Sequence, residues 1–272
     1  MANASYAARQ PPAVESEKPV HVLVTGFGPF LNRYPKNSSW EIASTLPALI
    51  PASPGNPTPI HIHIHHEPIR VAYKNVVDTI PKLLCMTPQP DLVLHIGLAA
   101  SRKFYAIEQG AHSRGYGKTS DVDGELFPDS EAQKAFPDSK YPSALHTGFD
   151  TGDVLSRWRT SLGYNNPNGT ASIERLPELR TNSDAGNFLC GFIYYNSLAH
   201  FHSRDPEAEK PVVFMHVPDL SGSEAKLREG WEVAVALIKA LVESRRKVGV
   251  GSGGERGECA GQDDDARNNT AV

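Results

Sequence analysis

The sequence predicts an α/β fold, a single three-layer α/β/α domain with a mostly parallel, twisted open sheet. Three observations predict it. Short β-branched or apolar runs recur at residues 20–25, 60–66, 92–96 and 212–216. Stretches with apolar residues at helical spacing alternate with them, the pattern of a sheet covered by helices on both faces. The length, 272 residues at 39% hydrophobic and 21% charged content, suits one large core better than two small ones.

Each element follows from local chemistry. Residues 1–19, rich in Ala, Pro and Glu, are expected to be a disordered tail, and the folded domain is expected over 20–248. The β-branched run 20–25 reads as a strand that ends at Gly26, followed by a tight loop through Phe30. Ser38 and Glu41 form a capping-box pattern that opens a helix to about Leu46, and 47–59 is a proline-rich connection. Residues 60–66 alternate as a strand. Val76, Val77, Ile80, Leu83 and Leu84 mark a helix over 71–84, with Pro81 as a point of kinking. A short apolar strand, 92–96, ends at Gly97. Residues 115–142 are polar and turn-rich with no sustained period, and 150–162 is a helix. The segment 164–178 reads as an inserted loop with Asn165-Asn166-Pro167-Asn168-Gly169 at its tip. Residues 179–183 read as a strand, 212–216 as another, and 223–248 as the last helix. That helix carries Leu227, Trp231, Val235, Ile238 and Leu241 on one face, with Ser221 and Glu224 as its capping box. Residues 249–272, rich in Gly, Asp and Asn, are expected to form a second disordered tail.

Composition narrows the function. A net charge of -4 gives no electrostatic case for nucleic acid or an anionic membrane as partner. No apolar run approaches a membrane span, and residues 1–18 lack the apolar core of a signal peptide. Three cysteines, Cys85, Cys190 and Cys259, are too few and too odd in number for a disulfide framework, which points to a reducing, cytosolic compartment. The glycosylation sequons at Asn37, Asn168 and Asn268 are then expected to be unused.

Sites in open α/β sheets lie beyond the C-terminal ends of the strands. Four unusual segments follow strand ends here: 26–30, 97–108, 183–190 and 216–218. Within Ser183-Asp184-Ala185-Gly186-Asn187-Phe188-Leu189-Cys190 a polar turn becomes an apolar helix, which places Cys190 at a helix start. Unpaired amides and the helix dipole there favour a thiolate and can hold an oxyanion. Taken alone, such a cysteine is more often a small buried hydrophobe. A thiol nucleophile needs a base, and among eleven histidines His216 ends an apolar strand just before Pro218. An acid must then orient the imidazole, and Glu108 is the candidate, with an ordinary surface glutamate as the alternative. Phe27 and Phe30 flank Gly28-Pro29 and suggest a flat apolar clamp. The partial dinucleotide fingerprint at 22–28 fails, since Leu31 stands at the third glycine and Pro29 lacks an N–H. His61, His63 and His65 share one strand face, which leaves a metal-dependent hydrolase as an alternative.

Four separated motifs together resemble pyroglutamyl peptidase type I, the pyrrolidone-carboxylate peptidase family of cysteine peptidases, over about residues 20–245. They are Val22-Leu23-Val24-Thr25-Gly26-Phe27-Gly28-Pro29-Phe30 with Asn37-Ser38-Ser39-Trp40-Glu41; the segment 97–112 with Arg102 and Glu108; the cysteine segment with Tyr194-Tyr195; and Phe214-Met215-His216-Val217-Pro218. The resemblance implies a Cys190, His216 and Glu108 triad. It implies a pyroglutamyl pocket of Phe27, Phe30 and Phe188, with Leu189 and Val71 nearby. It implies small peptides with an N-terminal pyroglutamyl residue as substrates, a thioester intermediate, and neither metal nor other cofactor. The chemistry agrees: pyroglutamate is a small, flat, neutral lactam, so an apolar aromatic slot would take it and reject a charged amino terminus. Leu98 stands where bacterial members carry glutamine. Lys118 falls near the place of a bacterial arginine after the glutamate, and residues 163–178 lengthen the interval from glutamate to cysteine. A non-catalytic pyroglutamyl-binding module is a further alternative.

Overall fold

In the computed structural model of the chain, residues 17–30, 35–53, 55–164 and 176–253 are described. The first half runs β1 (Val20–Gly26), α1 (Ser38–Ala43), β2 (Leu49–Ile50), β3 (Ile60–Ile64), α2 (Tyr73–Leu84), β4 (Leu92–Leu98), β5 (Tyr105–Glu108) and β6 (Gly110–His112). The second half runs α3 (Asp129–Ala135), β7 (Ala144–His146), α4 (Thr151–Ser161), β8 (Leu179–Asn182), α5 (Leu189–Arg204), β9 (Val212–Val217) and α6 (Glu224–Lys247). Seven strands form one sheet in the order β2-β3-β1-β4-β9-β5-β8, and β6 and β7 form a separate ribbon.

Strand alternation divides the core in two. Along β9, Val213, Met215 and Val217 pack with Ile42 of α1, Trp158 of α4 and Leu237 of α6. Val212 and Phe214 pack on the other face with Val76 and Ile80 of α2 and Phe192 and Tyr195 of α5. The expected three-layer α/β/α architecture is therefore present, with α1, α4 and α6 on one side and α2 and α5 on the other.

The sheet is parallel from β3 through β1 and β4 to β9. Beyond β9 the direction reverses: β5 is antiparallel to β9, and β8 is parallel to β5. Sequence reading placed Glu108 beyond a strand end. It is instead the last residue of β5, in register with Phe214 inside the sheet. Four residues are too few to show a period or a direction.

Helix starts also differ in detail. Asn37, not Ser38, caps α1, its side chain accepting from the Ser39 N–H at 3.1 Å. Ser223, not Ser221, caps α6 by accepting from the Lys226 N–H. Pro81 lies within α2 and does not interrupt it. The turn-rich stretch 115–142 contains the short helix α3. The sequon Asn37 is buried, and its amide donates to the Gly28 carbonyl at 2.9 Å, so it is committed to the fold. The tip of the 164–178 loop, Asn168, Asn268 and Cys259 lie outside the described residues, as do 1–16 and 254–272 of the expected tails. Residues 249–253, expected in the C-terminal tail, pack against the domain: the Gly251 N–H donates to the Gly148 carbonyl at 2.8 Å, and the Lys210 N–H donates to the Gly251 carbonyl at 3.0 Å.

Candidate active site

His216 and Glu108 reach each other across the β9–β5 ladder. Residues two apart share a face, so His216 and Phe214 point to the α5 side, and Glu108 sits opposite Phe214 on that same side. The His216 ring donates through Nδ1 to Glu108 Oε1 at 2.7 Å. An ionised carboxylate has no proton to give, so this bond fixes the tautomer and leaves Nε2 as the free acceptor. Glu108 is fully buried, yet both oxygens are satisfied: Arg102 Nη1 donates to Oε1 at 2.6 Å and Asn182 Nδ2 donates to Oε2 at 2.6 Å. Burial pushes this carboxyl upward, but the His216, Arg102 and Asn182 contacts together hold it below the usual carboxylate range. The Tyr194 hydroxyl donates to the Glu108 backbone carbonyl at 3.1 Å and ties α5 to β5.

Cys190 is the second residue of α5, as the polar-to-apolar change predicts. Gly186, at φ +86°, turns the preceding loop back, and a Cβ on Gly191 would collide with the Gly186 carbonyl. This tight return aims the first turn of α5 at the sheet. The Cys190 sulfur rests over Gly97, 2.9 Å from where a Cβ on that glycine would stand. Gly97 is the register partner of His216 on the neighbouring strand, so sulfur and imidazole share one face of the sheet. Among the described residues no hydrogen bond joins the two. Sequence reading expected a thiol favoured as thiolate. Instead, burial pushes the Cys190 thiol up to about 12, with the Glu108 charge adding to the rise and Arg102 opposing it. Cys190 is partly buried against the apolar layer, and desolvation there outweighs the helix start.

The expected ring-binding residues gather in the same apolar layer. Phe27, Val71 and Leu189 are buried there, and Phe30, Phe188 and Cys190 pack against them. Tyr73 meets the Phe188 ring edge-on at 6.2 Å. The loop that carries Phe27 and Phe30 is held by its own sequence: the Phe27 N–H donates to Ser39 Oγ at 3.0 Å and the Gly28 N–H to the Ile69 carbonyl at 2.9 Å. Asp121 holds the other wall, accepting from the Tyr73 N–H at 2.9 Å and so capping α2.

The comparisons with known proteins agree with this geometry. The family model described as pyroglutamyl peptidase matches residues 20–147. Human pyroglutamyl-peptidase 1 is 30% identical over 200 residues, which is 73% of this chain and 79% of the human one. The chain belongs to the pyroglutamyl peptidase family. Solved structures share the fold of this family member. Pyrrolidone carboxyl peptidase from Thermus thermophilus superposes with a TM-score of 0.56 at 24% identity, covering 82% of this chain and 99% of that one. A mutant pyrrolidone carboxyl peptidase from Pyrococcus furiosus gives 0.60 at 22% identity, covering 84% and 100%. The resemblance and the fold class read from sequence are both borne out.

The structure also places the remaining residues that the sequence singles out. His61, His63 and His65 do not gather as a trio. His21 joins His61 and His63, with ring centroids 5.3 and 5.1 Å away, while His65 meets His66 edge-on. His21 Nδ1 lies 2.9 Å from His63 Nε2, one ring nitrogen bonded to the other. No group of three such side chains among the described residues is arranged to hold a metal ion. Lys118 is exposed, and the cation beside the buried acid is Arg102. Leu98 is buried opposite Val217. Sequence reading missed Asn182, whose only signal is its register with Glu108.

Proposed function

We propose that this chain is a cysteine exopeptidase that hydrolyses the amide bond after an N-terminal pyroglutamyl residue. The carrying observation is the buried hydrogen bond from His216 to Glu108 with the Cys190 sulfur on the same sheet face, over the register partner of His216. The flat lactam would lie among Phe27, Phe30 and Phe188, with Leu189 and Val71 behind them. The exocyclic carbonyl carbon of the scissile amide, outside the lactam ring, would face Cys190. As the sulfur attacks, His216 Nε2 takes the thiol proton and Glu108 stabilises the imidazolium that forms. The N–H groups of residues 189–191 have no intrahelical partner and would receive the oxyanion. The tetrahedral adduct collapses, the C–N bond breaks, and His216 returns the proton to the leaving amine. A water activated by His216 then attacks the thioester and releases pyroglutamate and free Cys190.

The residues from 20 to 248 act as one domain in this reading, and small peptides are its substrates. A reducing compartment such as the cytosol suits a chain with an exposed free Cys85 and a free Cys190. The test is turnover of a fluorogenic pyroglutamyl amide by the wild type and by Cys190→Ala, with and without iodoacetamide. Turnover lost in the variant and after alkylation is expected. Full activity in Cys190→Ala would remove the thiol from the mechanism.

A further inference from the structure

Glu108 Oε1 accepts from two donors at once. His216 Nδ1 lies 2.7 Å from it and Arg102 Nη1 2.6 Å, and the two donors stand 3.5 Å apart. In a plain acid–histidine pair the carboxylate serves the imidazole alone and raises its proton affinity. Here a guanidinium, permanently charged, shares the oxygen and faces the ring nitrogen directly.

We propose that Arg102 is a positioning residue that tunes the base, sharing Glu108 Oε1 so that only part of the carboxylate's charge acts on the His216 imidazole. The inference rests on the proposed thiol mechanism. The side chain of Arg102 is 17% exposed, so its charge acts on the dyad with little screening. Two further features hold it there: Phe104 lies under its guanidinium at 5.7 Å, and Arg180 stacks on the same ring at 4.1 Å.

The other groups facing His216 do not duplicate this role. From β5 comes Glu108, and from β8 comes Asn182, which is neutral and bonded to the far oxygen. Arg180, also on β8, is paired with Glu178 at 2.6 Å. From α5 come Cys190, a partly buried thiol, and Tyr194, whose hydroxyl is spent on the Glu108 carbonyl. Across the Phe214 ring lies His95, bonded through both ring nitrogens to Thr25 and Ser197. Removing the Arg102 charge leaves Glu108 ionised, through His216 and Asn182, and gives its whole field to the imidazole. His216 then binds its proton more tightly, and the pH at which the base becomes available rises.

The test is the pH profile of kcat/KM for a pyroglutamyl amide in the wild type, Arg102→Gln, Arg102→Met and Arg102→Lys. The acidic limb is expected to move up by about one pH unit in both neutral variants and to stay at the wild-type position in Arg102→Lys, which keeps the charge. An unmoved limb in the neutral variants, or an equal shift in the lysine variant, would overturn the proposal. Titration of the His216 imidazole by NMR in the Cys190→Ala background needs no turnover and reads the same shift on adding Arg102→Gln. A thiol-independent activity would sink the mechanism. An imidazole titration unchanged by Arg102→Gln would sink the role of Arg102, whatever the activity shows.

Discussion

The sulfur of Cys190 packs directly on the backbone of Gly97, where a β-carbon would meet it at 2.9 Å and the Phe214 ring at 2.5 Å. Glycine at this point is what lets the nucleophile sit beside His216. Gly97→Ala is expected to lower kcat about 10²-fold, because a shift of about 1 Å in a reacting group costs that much. Overpacking is expected to cost about 1–3 kcal/mol. Kinetics and urea unfolding on the same preparation check both; wild-type turnover in the variant would refute the placement.

Burial holds the Cys190 thiol near 12, so the resting nucleophile is a neutral thiol and not a preformed thiolate. Alkylation by iodoacetamide should be slow near neutrality and climb steadily as pH rises into the alkaline range. The second-order alkylation rate measured from pH 5 to 10 checks this. A rate that is already flat below pH 7 would show the opposite resting state.

Both oxygens of Glu108 are engaged, and the two engagements differ in weight. Glu108→Gln is expected to lower kcat by about 10²–10⁴-fold, since the imidazolium loses its counter-charge and the tautomer its anchor. Asn182→Ala removes only the neutral donor on Oε2 and should cost about tenfold, the order of one net hydrogen bond. Steady-state kinetics of the two variants rank them; equal losses would contradict the assignment.

His95 is buried between Thr25 Oγ1 and Ser197 Oγ at 2.7 and 2.8 Å, and burial lowers its pKa to about 3 from an ordinary 6.5. The folded state therefore binds its proton less readily than the unfolded chain does. Its contribution to stability is complete above pH 6.5 and is lost as pH falls from there toward 3, by about 1.4 kcal/mol per pH unit. Burial lowers the His63 pKa as well, with His21 and His61 adding to the effect, which acts in the same direction. Urea midpoints at pH 7.5 and 4.5 read the loss; equal midpoints would contradict it.

Phe188 is partly exposed at the mouth of the apolar layer and packs on Tyr73. Phe188→Ala is expected to reduce kcat/KM about tenfold, through KM, as an apolar wall worth about 1–2 kcal/mol is removed. A substrate series with proline in place of pyroglutamate separates ring packing from lactam recognition. An unchanged KM would place the ring elsewhere.

The residues that make the site legible in sequence are those whose local context is unusual. Cys190 stands at a polar-to-apolar change, and His216 ends a β-branched strand. The aromatic pair Phe27 and Phe30 straddles a Gly-Pro turn. What stayed hidden depends on register between distant segments. Arg102 and Asn182 gain their importance only because Glu108 lies across from Asn182 and beneath Arg102. Asp121 caps a helix that starts at Tyr73. The reversal of β5 and β8 left no mark in four-residue strands. His21 displaced His65 from the histidine cluster because strand pairing, not spacing within one strand, decides which rings meet.

The acid and the base are thus held by rungs of one ladder, whereas the sulfur rides on the tip of a helix at the end of a glycine-hinged loop. Asn182 joins the two parts, its amide donating to Glu108 Oε2 at 2.6 Å and to the Asp184 carbonyl of the loop at 2.7 Å. The loop that carries the nucleophile and the carboxylate that aims the base thus share one amide, so a change at residue 182 reaches both arms of the site at once.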